Sequence, residues 1–328
     1  MNKIAEFSLE IEDRHRRVLY DKVLPELLQL VNDPGWVCPV QRRYLRFVCD
    51  LVVSYDVLVA HAQHLCEFVR FVERHFFQWR DPLPGMLTKV NEKLMEVFPY
   101  SDFSRWKGRG ANGWGGFPLM NELKHRLKCC PYCNSDLVYA IDVEDGGNHE
   151  IKSAFDHYFP RGRYPFLSVS LYNLIPACFR CNSQLKSDHF AELLNIPHPY
   201  RENLADLSCF VPCVTSSACF YSDSYDDELR LYFRAKRRSN DSRVADYAHL
   251  FKLNEVYSQL HSNEAGDAIR KSVAYSSEYI ATMRRCFAAS GIVNVDMERL
   301  LFGVKLDEDK IDVNRLSKMI GDIRNQFA

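Results

Sequence analysis

Phe155–Asn182 reads FDHYFPRGRYPFLSVSLYNLIPACFRCN. It places an acid–histidine pair, Asp156-His157, ahead of an isolated Asn173. A C-x-x-C pair, Cys178 and Cys181, then runs directly into Asn182. Either this is a packed core that happens to hold polar residues, or it is a metal-dependent site. A second C-x-x-C upstream, Cys130 and Cys133 within CCPYC, bears on the choice.

Each C-x-x-C turn can offer two thiolates to one tetrahedral zinc ion. Four thiolates close the coordination sphere and leave no open position, so the expected zinc is structural rather than catalytic. The two pairs are separated by 44 residues, too many for a short ribbon, so a substructure must be inserted between them. Cys129 offers an alternative C-x3-C register with Cys133, but Cys130 makes the better turn. The bland alternative is a set of buried thiols.

The inserted segment carries the polar residues. Asp156 and Asn182 are oxygen donors of the kind that Mg²⁺ or Mn²⁺ prefers, and two of them leave room for waters and phosphate. His157 can take a proton from a water attacking phosphorus, while the metal stabilises charge on the phosphorane and the leaving oxygen. Asp156 and His157 end a β-prone run, so their side chains project to opposite faces. A lone histidine at a strand end is more often a satisfied surface residue; here the company of Asn173 and Asn182 favours the chemical reading.

The order D-H…N…C-x-x-C-N…K and the texture YP…NL-x-P-x-C-x-x-C-N resemble the HNH endonuclease superfamily, whose ββα-metal core is often braced by a four-cysteine zinc site. The resemblance covers about Lys128 to Phe190, under a fifth of the chain. It implies His157 as general base, Asp156 and Asn182 as ligands of a catalytic Mg²⁺ or Mn²⁺, and Asn173 bracing the loop and orienting His157. Lys186 would face phosphate. The third position is Asn182 rather than His, a variant that suits a hard cation. Helical regions on both sides of such a core are similar to HNH effector subunits of Septu-type bacterial anti-phage systems, which implies a nucleic-acid substrate and an ATPase or other regulatory partner.

Local charge agrees. Lys152, Arg161, Arg163, Arg180 and Lys186 face only Asp156 and Asp188 between Ile151 and Phe190. Backbone phosphate is the natural partner of such a patch, with Arg161 and Arg163 as the grip. Over the whole chain the net charge is −1, which excludes a strongly basic protein coating nucleic acid nonspecifically and points to help from a partner.

Outward from this segment, the expected class is α+β and mostly helical. Residues 1–105 read as a helical N-terminal domain: Ser8 caps a helix interrupted or kinked at Pro25, and Gln41 to Asp81 contains no glycine or proline. Residues 106–126 read as a Gly-rich linker. A phosphate-touching loop using Lys107 and Arg109 is the sharper alternative, and no Gly-Lys-Ser/Thr follows to make it a P-loop. Residues 127–192 form the nuclease core, with two β-prone runs around Gly146-Gly147 reading as a hairpin. Residues 193–328 read as strands followed by helices that pack on the core.

Cys209, Cys213 and Cys219 lack paired spacing and are expected to be buried thiols; His149 and His189 are expected at the surface. The N-terminus has no apolar signal core, and the most apolar helical region, Tyr44–Leu65, carries Arg46, Asp50, Asp56, His61 and His64. That burden is too costly for a bilayer, so a cytoplasmic protein is expected. The chemical expectation is phosphodiester hydrolysis; the competing one is a non-catalytic zinc-braced module that binds nucleic acid or protein.

Overall fold

The acid–histidine pair lies at the end of a short strand in a computed structural model that describes residues 1–77, 85–105, 113–143, 149–186, 195–216, 228–306 and 313–327. The strand, β3 (Ala154–His157), pairs antiparallel with β4 (Leu174–Ala177), bringing Asp156 opposite Ile175 and His157 opposite Leu174. Before it, β1 (Ala140–Val143) and β2 (His149–Lys152) form the expected hairpin, whose Gly-Gly turn lies outside the described residues. The third pair, β5 (Ser208–Val214) with β6 (Leu229–Ala235), follows the core region. The fold is mixed α+β and mostly helical, 59% helix against 10% strand, in keeping with the helical periodicity of the flanks.

Helices supply the walls. On the N-terminal side they are α1 (Leu9–Val31), α2 (Pro39–Val53), α3 (Ala62–His75), α4 (Gly85–Val97), α5 (Tyr100–Arg105) and α6 (Gly116–Lys124). Ser8 accepts a hydrogen bond from the amide of Ile11 and caps α1, which runs through Pro25 without interruption. Its buried stripe, Val18, Leu19, Val23 and Leu27, keeps the spacing of one helical face. The Gln41–Asp81 region divides into α2 and α3 at Asp56, which takes a positive φ of 50°. The Val57-Leu58-Val59 turn between them is buried and bonded to the site loop, through Leu171 N–H to the Leu58 carbonyl and Ser170 Oγ to the Val57 carbonyl.

The expected linker is only partly open to description. Residues 106–112, with Lys107 and Arg109, lie outside the described residues, but Gly116–Lys124 is helical and buries Leu119, Met120 and Leu123. Gly116 sits where α5 and α6 come together: a Cβ there would stand 2.8 Å from the Ser104 carbonyl oxygen, so no side chain fits without backbone movement.

On the C-terminal side are α7 (Leu204–Leu207), α8 (Asp241–Leu250), α9 (Leu253–Leu260), α10 (Ser262–Ala274), α11 (Ser277–Ala289), α12 (Met297–Phe302) and α13 (Ser317–Phe327). Most pack as expected, although α11 buries only Ile280. One continuous hydrophobic cluster runs from Met1 to Ile323 and includes residues of the N-terminal helices, the central strands and the C-terminal helices. Of the three cysteines without paired spacing, Cys209 is half-buried and Cys213 is exposed, because alternation along β5 turns it outward; Cys219 lies outside the described residues.

Candidate metal centre and active site

Cys130, Cys133, Cys178 and Cys181 meet. All four are buried, and their Sγ atoms lie within 4.8 Å of one another. Tetrahedral zinc with bonds of about 2.3 Å would separate its sulfurs by about 3.8 Å, and Cys133 Sγ lies 3.9 Å from Cys178 Sγ. The donor set fits structural zinc in chemistry and in spacing. The Cys181 amide N–H points at Cys178 Sγ at 3.4 Å, and Ser135 Oγ donates to Cys133 Sγ at 3.4 Å. Such donors offset the negative charge that four thiolates bring together. Hydrogen bonds from Cys130, Cys178 and Cys181 hold Cys133 well below the ordinary thiol range.

The C-terminal helices fix the first Cys turn. Tyr257 Oη donates to the Cys133 carbonyl and Tyr247 Oη to the Tyr132 carbonyl. Asn134, with φ of 57°, accepts from the amides of Leu316 and Lys318. Arg315 reaches the Ser135 carbonyl at 2.6 Å. The 44-residue insert is therefore clamped between a cysteine turn held by distant helices and a second turn that starts a π-helical segment, Arg180–Lys186. Such wide turns are frequent at functional sites.

Within that insert Asp156 is buried and both carboxylate oxygens are engaged. Tyr132 Oη donates to Oδ2 at 2.6 Å, and Lys186 Nζ donates to Oδ1 at 2.9 Å and to the His157 carbonyl at 2.5 Å. His157 is half-buried and uses Nε2–H to donate to the Ser168 carbonyl at 2.8 Å. With the proton fixed on Nε2, Nδ1 keeps its lone pair. Burial pushes the histidine down to about 3, against the Ser168 hydrogen bond, and the charges of Arg161 and Lys186 act in the same direction as burial. Tyr100 lies edge-on to the ring at 4.2 Å.

Asn173 is fully buried and braces the loop between β3 and β4. Its Oδ1 accepts from the Phe159 amide at 2.8 Å, and its Nδ2 donates to the carbonyls of Leu167 and Phe159 at 2.9 and 3.1 Å. Leu167 precedes Ser168, the acceptor for His157, so Asn173 reaches the histidine through the loop rather than by contact. Asn182 is half-buried in the π-helical turn, and its side-chain amide has no hydrogen-bond partner among the described residues. Lys186 in the same turn touches Asp156, so the segment bearing Asn182 lies against β3.

The expected substrate grip is corrected at Arg163. Arg163 is buried in a two-point pair with Glu73 on α3, Nε to Oε1 at 2.6 Å and Nη2 to Oε2 at 2.8 Å. It cannot reach a phosphate without abandoning that carboxylate. Lys186 is likewise turned inward onto Asp156 and not toward solvent. Arg180 pairs with Asp136 at 3.0 Å, so three of the five cations expected to form a patch are consumed internally. Arg161 remains exposed, over the Tyr100 ring at 5.4 Å. Lys152 is half-buried over Phe155, His149 lies in β2, and His189 is outside the described residues.

Tyr132, Ser168, Tyr100 and Glu73 carry no role that the sequence announces. Tyr132 alone had a local signal, its place inside C-P-Y-C; the rest act across distances that no motif encodes.

No protein-family model matches the chain, and no solved structure matches it. Over 87 residues, 25% of the chain, it is 32% identical to 20% of the Drosophila melanogaster protein named Gustatory receptor 5a for trehalose. The chain thus spans about a fifth of that relative's length. Among the described residues no helix is long and apolar enough to cross a membrane.

Proposed function

We infer that the chain is a metal-dependent endonuclease of HNH type, hydrolysing phosphodiester bonds in nucleic acid. One observation carries it: His157 is a neutral imidazole whose Nε2–H is tied to the Ser168 carbonyl, leaving Nδ1 as a base, with the buried acid Asp156 beside it on β3. The sequence β3, braced loop, β4, helical turn gives a ββα order with the four-cysteine centre at its base.

In this reading Nδ1 takes the proton from the attacking water, and Asn173 keeps the loop that orients the ring. Asp156 and Asn182 would hold a divalent ion that stabilises charge on the phosphorus oxygens and the leaving oxygen. Mg²⁺ commonly binds through one or two protein oxygens plus waters and phosphate, so this spare donor set suits it. Arg161, exposed beside Tyr100, would meet the backbone phosphate.

A second reading, a zinc-braced binding module without catalysis, is favoured by the Lys186–Asp156 ion pair, which already neutralises the acid. One experiment separates them. Zinc-loaded protein freed of other divalent ions is incubated with labelled DNA and RNA, with and without Mn²⁺ or Mg²⁺, beside His157→Ala. Cutting that needs the added ion and disappears in the variant is the expected result. Equal behaviour of wild type and His157→Ala, together with divalent-ion binding unchanged in Asp156→Ala, would leave the binding module standing.

A further inference from the structure

The Asp156 carboxylate is gripped by two groups of different kinds. Tyr132, inside the first cysteine turn and stacked on Phe251 at 4.6 Å, donates to Oδ2. It is a fixed neutral donor, anchored to the four-cysteine centre through its own backbone. Lys186 is the opposite: a full positive charge on a long, rotatable stem, held at Oδ1 and at the His157 carbonyl. Its side chain is only 2% exposed. A lysine is almost never this deep without a pressing electrostatic reason.

The reason is its partner. Asp156 is itself only 4% exposed, and a carboxylate this deep needs a compensating cation or it destabilises the fold. A divalent ion ligated by Asp156 would compete for the same carboxylate charge, and a lysine ammonium and a metal ion repel each other at such range. We propose that Lys186 is a built-in counter-ion for the metal site. In the metal-free protein its ammonium compensates Asp156; a divalent ion displaces it, and the freed ammonium is then available to substrate phosphate. This rests on the reading that Asp156 ligates a divalent ion.

The arrangement does two things for the protein. It lets the acid stay charged and buried while no metal is bound. It also sets a threshold, because the ion must outcompete an internal cation before the site is armed. The same residue thereby serves both states, turned inward here and outward when the metal is present.

The test measures Mn²⁺ affinity directly, by calorimetry and by electron paramagnetic resonance of free Mn²⁺, on zinc-loaded wild type, Asp156→Asn and Lys186→Met. Binding by wild type that is lost in Asp156→Asn secures the metal site. Lys186→Met then binds Mn²⁺ at least about tenfold more tightly, because a competing positive charge has been removed. Equal or weaker binding by Lys186→Met would overturn the counter-ion while leaving the metal site intact. Absence of Mn²⁺ binding in all three proteins would remove both.

Because Lys186→Met leaves a buried acid uncompensated and can fail to fold, a second measurement uses wild type alone. Reductive methylation of the zinc-loaded protein, read by mass spectrometry, should leave Lys186 unmodified without added Mn²⁺ and modify it at saturating Mn²⁺. Equal protection in both conditions, with Mn²⁺ demonstrably bound, would also overturn the proposal.

Discussion

At the scale of single residues, tautomer and partner decide what each side chain can do. In the proposed site His157 would serve as a base because its Nε2–H is committed to a backbone carbonyl and burial keeps the ring neutral. Its deprotonated fraction is complete above about pH 5 when the pKa lies near 3, so the acid limb of a pH–rate profile due to His157 falls near pH 3, far below the ordinary histidine value. Cleavage rates followed in Mn²⁺ from about pH 7 down to about pH 4.5 should show no inflection near 6.5; an inflection there would mean an exposed, ordinary imidazole.

Arg161 and Arg163 make a sharper pair, two residues apart and opposite in fate. Arg161→Ala should weaken nucleic-acid binding uniformly across sequences and lower the salt slope by about one, with an unchanged melting temperature. Arg163→Met should instead cost about 3–5 kcal/mol in denaturant titration, because it strands the Glu73 carboxylate inside the protein.

At the scale of elements, a zinc centre would organise what the short strands cannot. β3 and β4 are four residues each, and a two-stranded pair of that length is marginal alone. They are held because Cys130 and Cys133 lie before them and Cys178 and Cys181 directly after, so one ion would fasten both ends of the insert. Cys178→Ala should lose the metal, measured as zinc per chain by elemental analysis, and should lower the melting temperature by several degrees in the same preparation. Substitution with cobalt should give the intense absorption of a tetrahedral thiolate site in wild type only. A variant that melts unchanged would mean that the four thiols pack as a core without an ion. Tyr132 adds a link between elements: the turn that bears two of the cysteines also positions Asp156, so disorder in that turn would spread to the carboxylate.

At the scale of the whole molecule, buried histidines make stability depend on pH. His15 is fully buried with both ring nitrogens satisfied, Nε2 toward the Val169 carbonyl and Nδ1 accepting from Trp114. Burial pushes it down to about 4, and pushes His198, whose Nε2 has no partner among the described residues, down to about 3. In both, the folded protein holds its proton less tightly than the unfolded chain, whose histidines titrate near 6.5. These two groups therefore take nothing from stability above about pH 6.5 and subtract from it as the pH falls toward 3–4. Two protons taken up on unfolding give a slope of up to about 2.7 kcal/mol per pH unit in that window. Denaturant titrations at a series of pH values should show it, and His198→Asn should lower the slope by up to about 1.4 kcal/mol per pH unit, the share of one proton, with His157 contributing a further share of its own. A slope that His198→Asn leaves untouched would place the histidine in a solvated setting.

Legible along the chain were the parts whose partners are close in sequence or repeated by a motif. The capped α1, the β1–β2 hairpin, the strand ending at Asp156-His157 and the four clustered cysteines belong here, because spacing and residue chemistry carry that information locally. Which charges are free was settled by folding alone. Arg163 finds Glu73 across 90 positions and Lys186 finds Asp156 across 30. A cation buried against an acid and a cation exposed to phosphate look identical along the chain; burial, which sets the cost of leaving either one unpaired, exists only once the fold has closed.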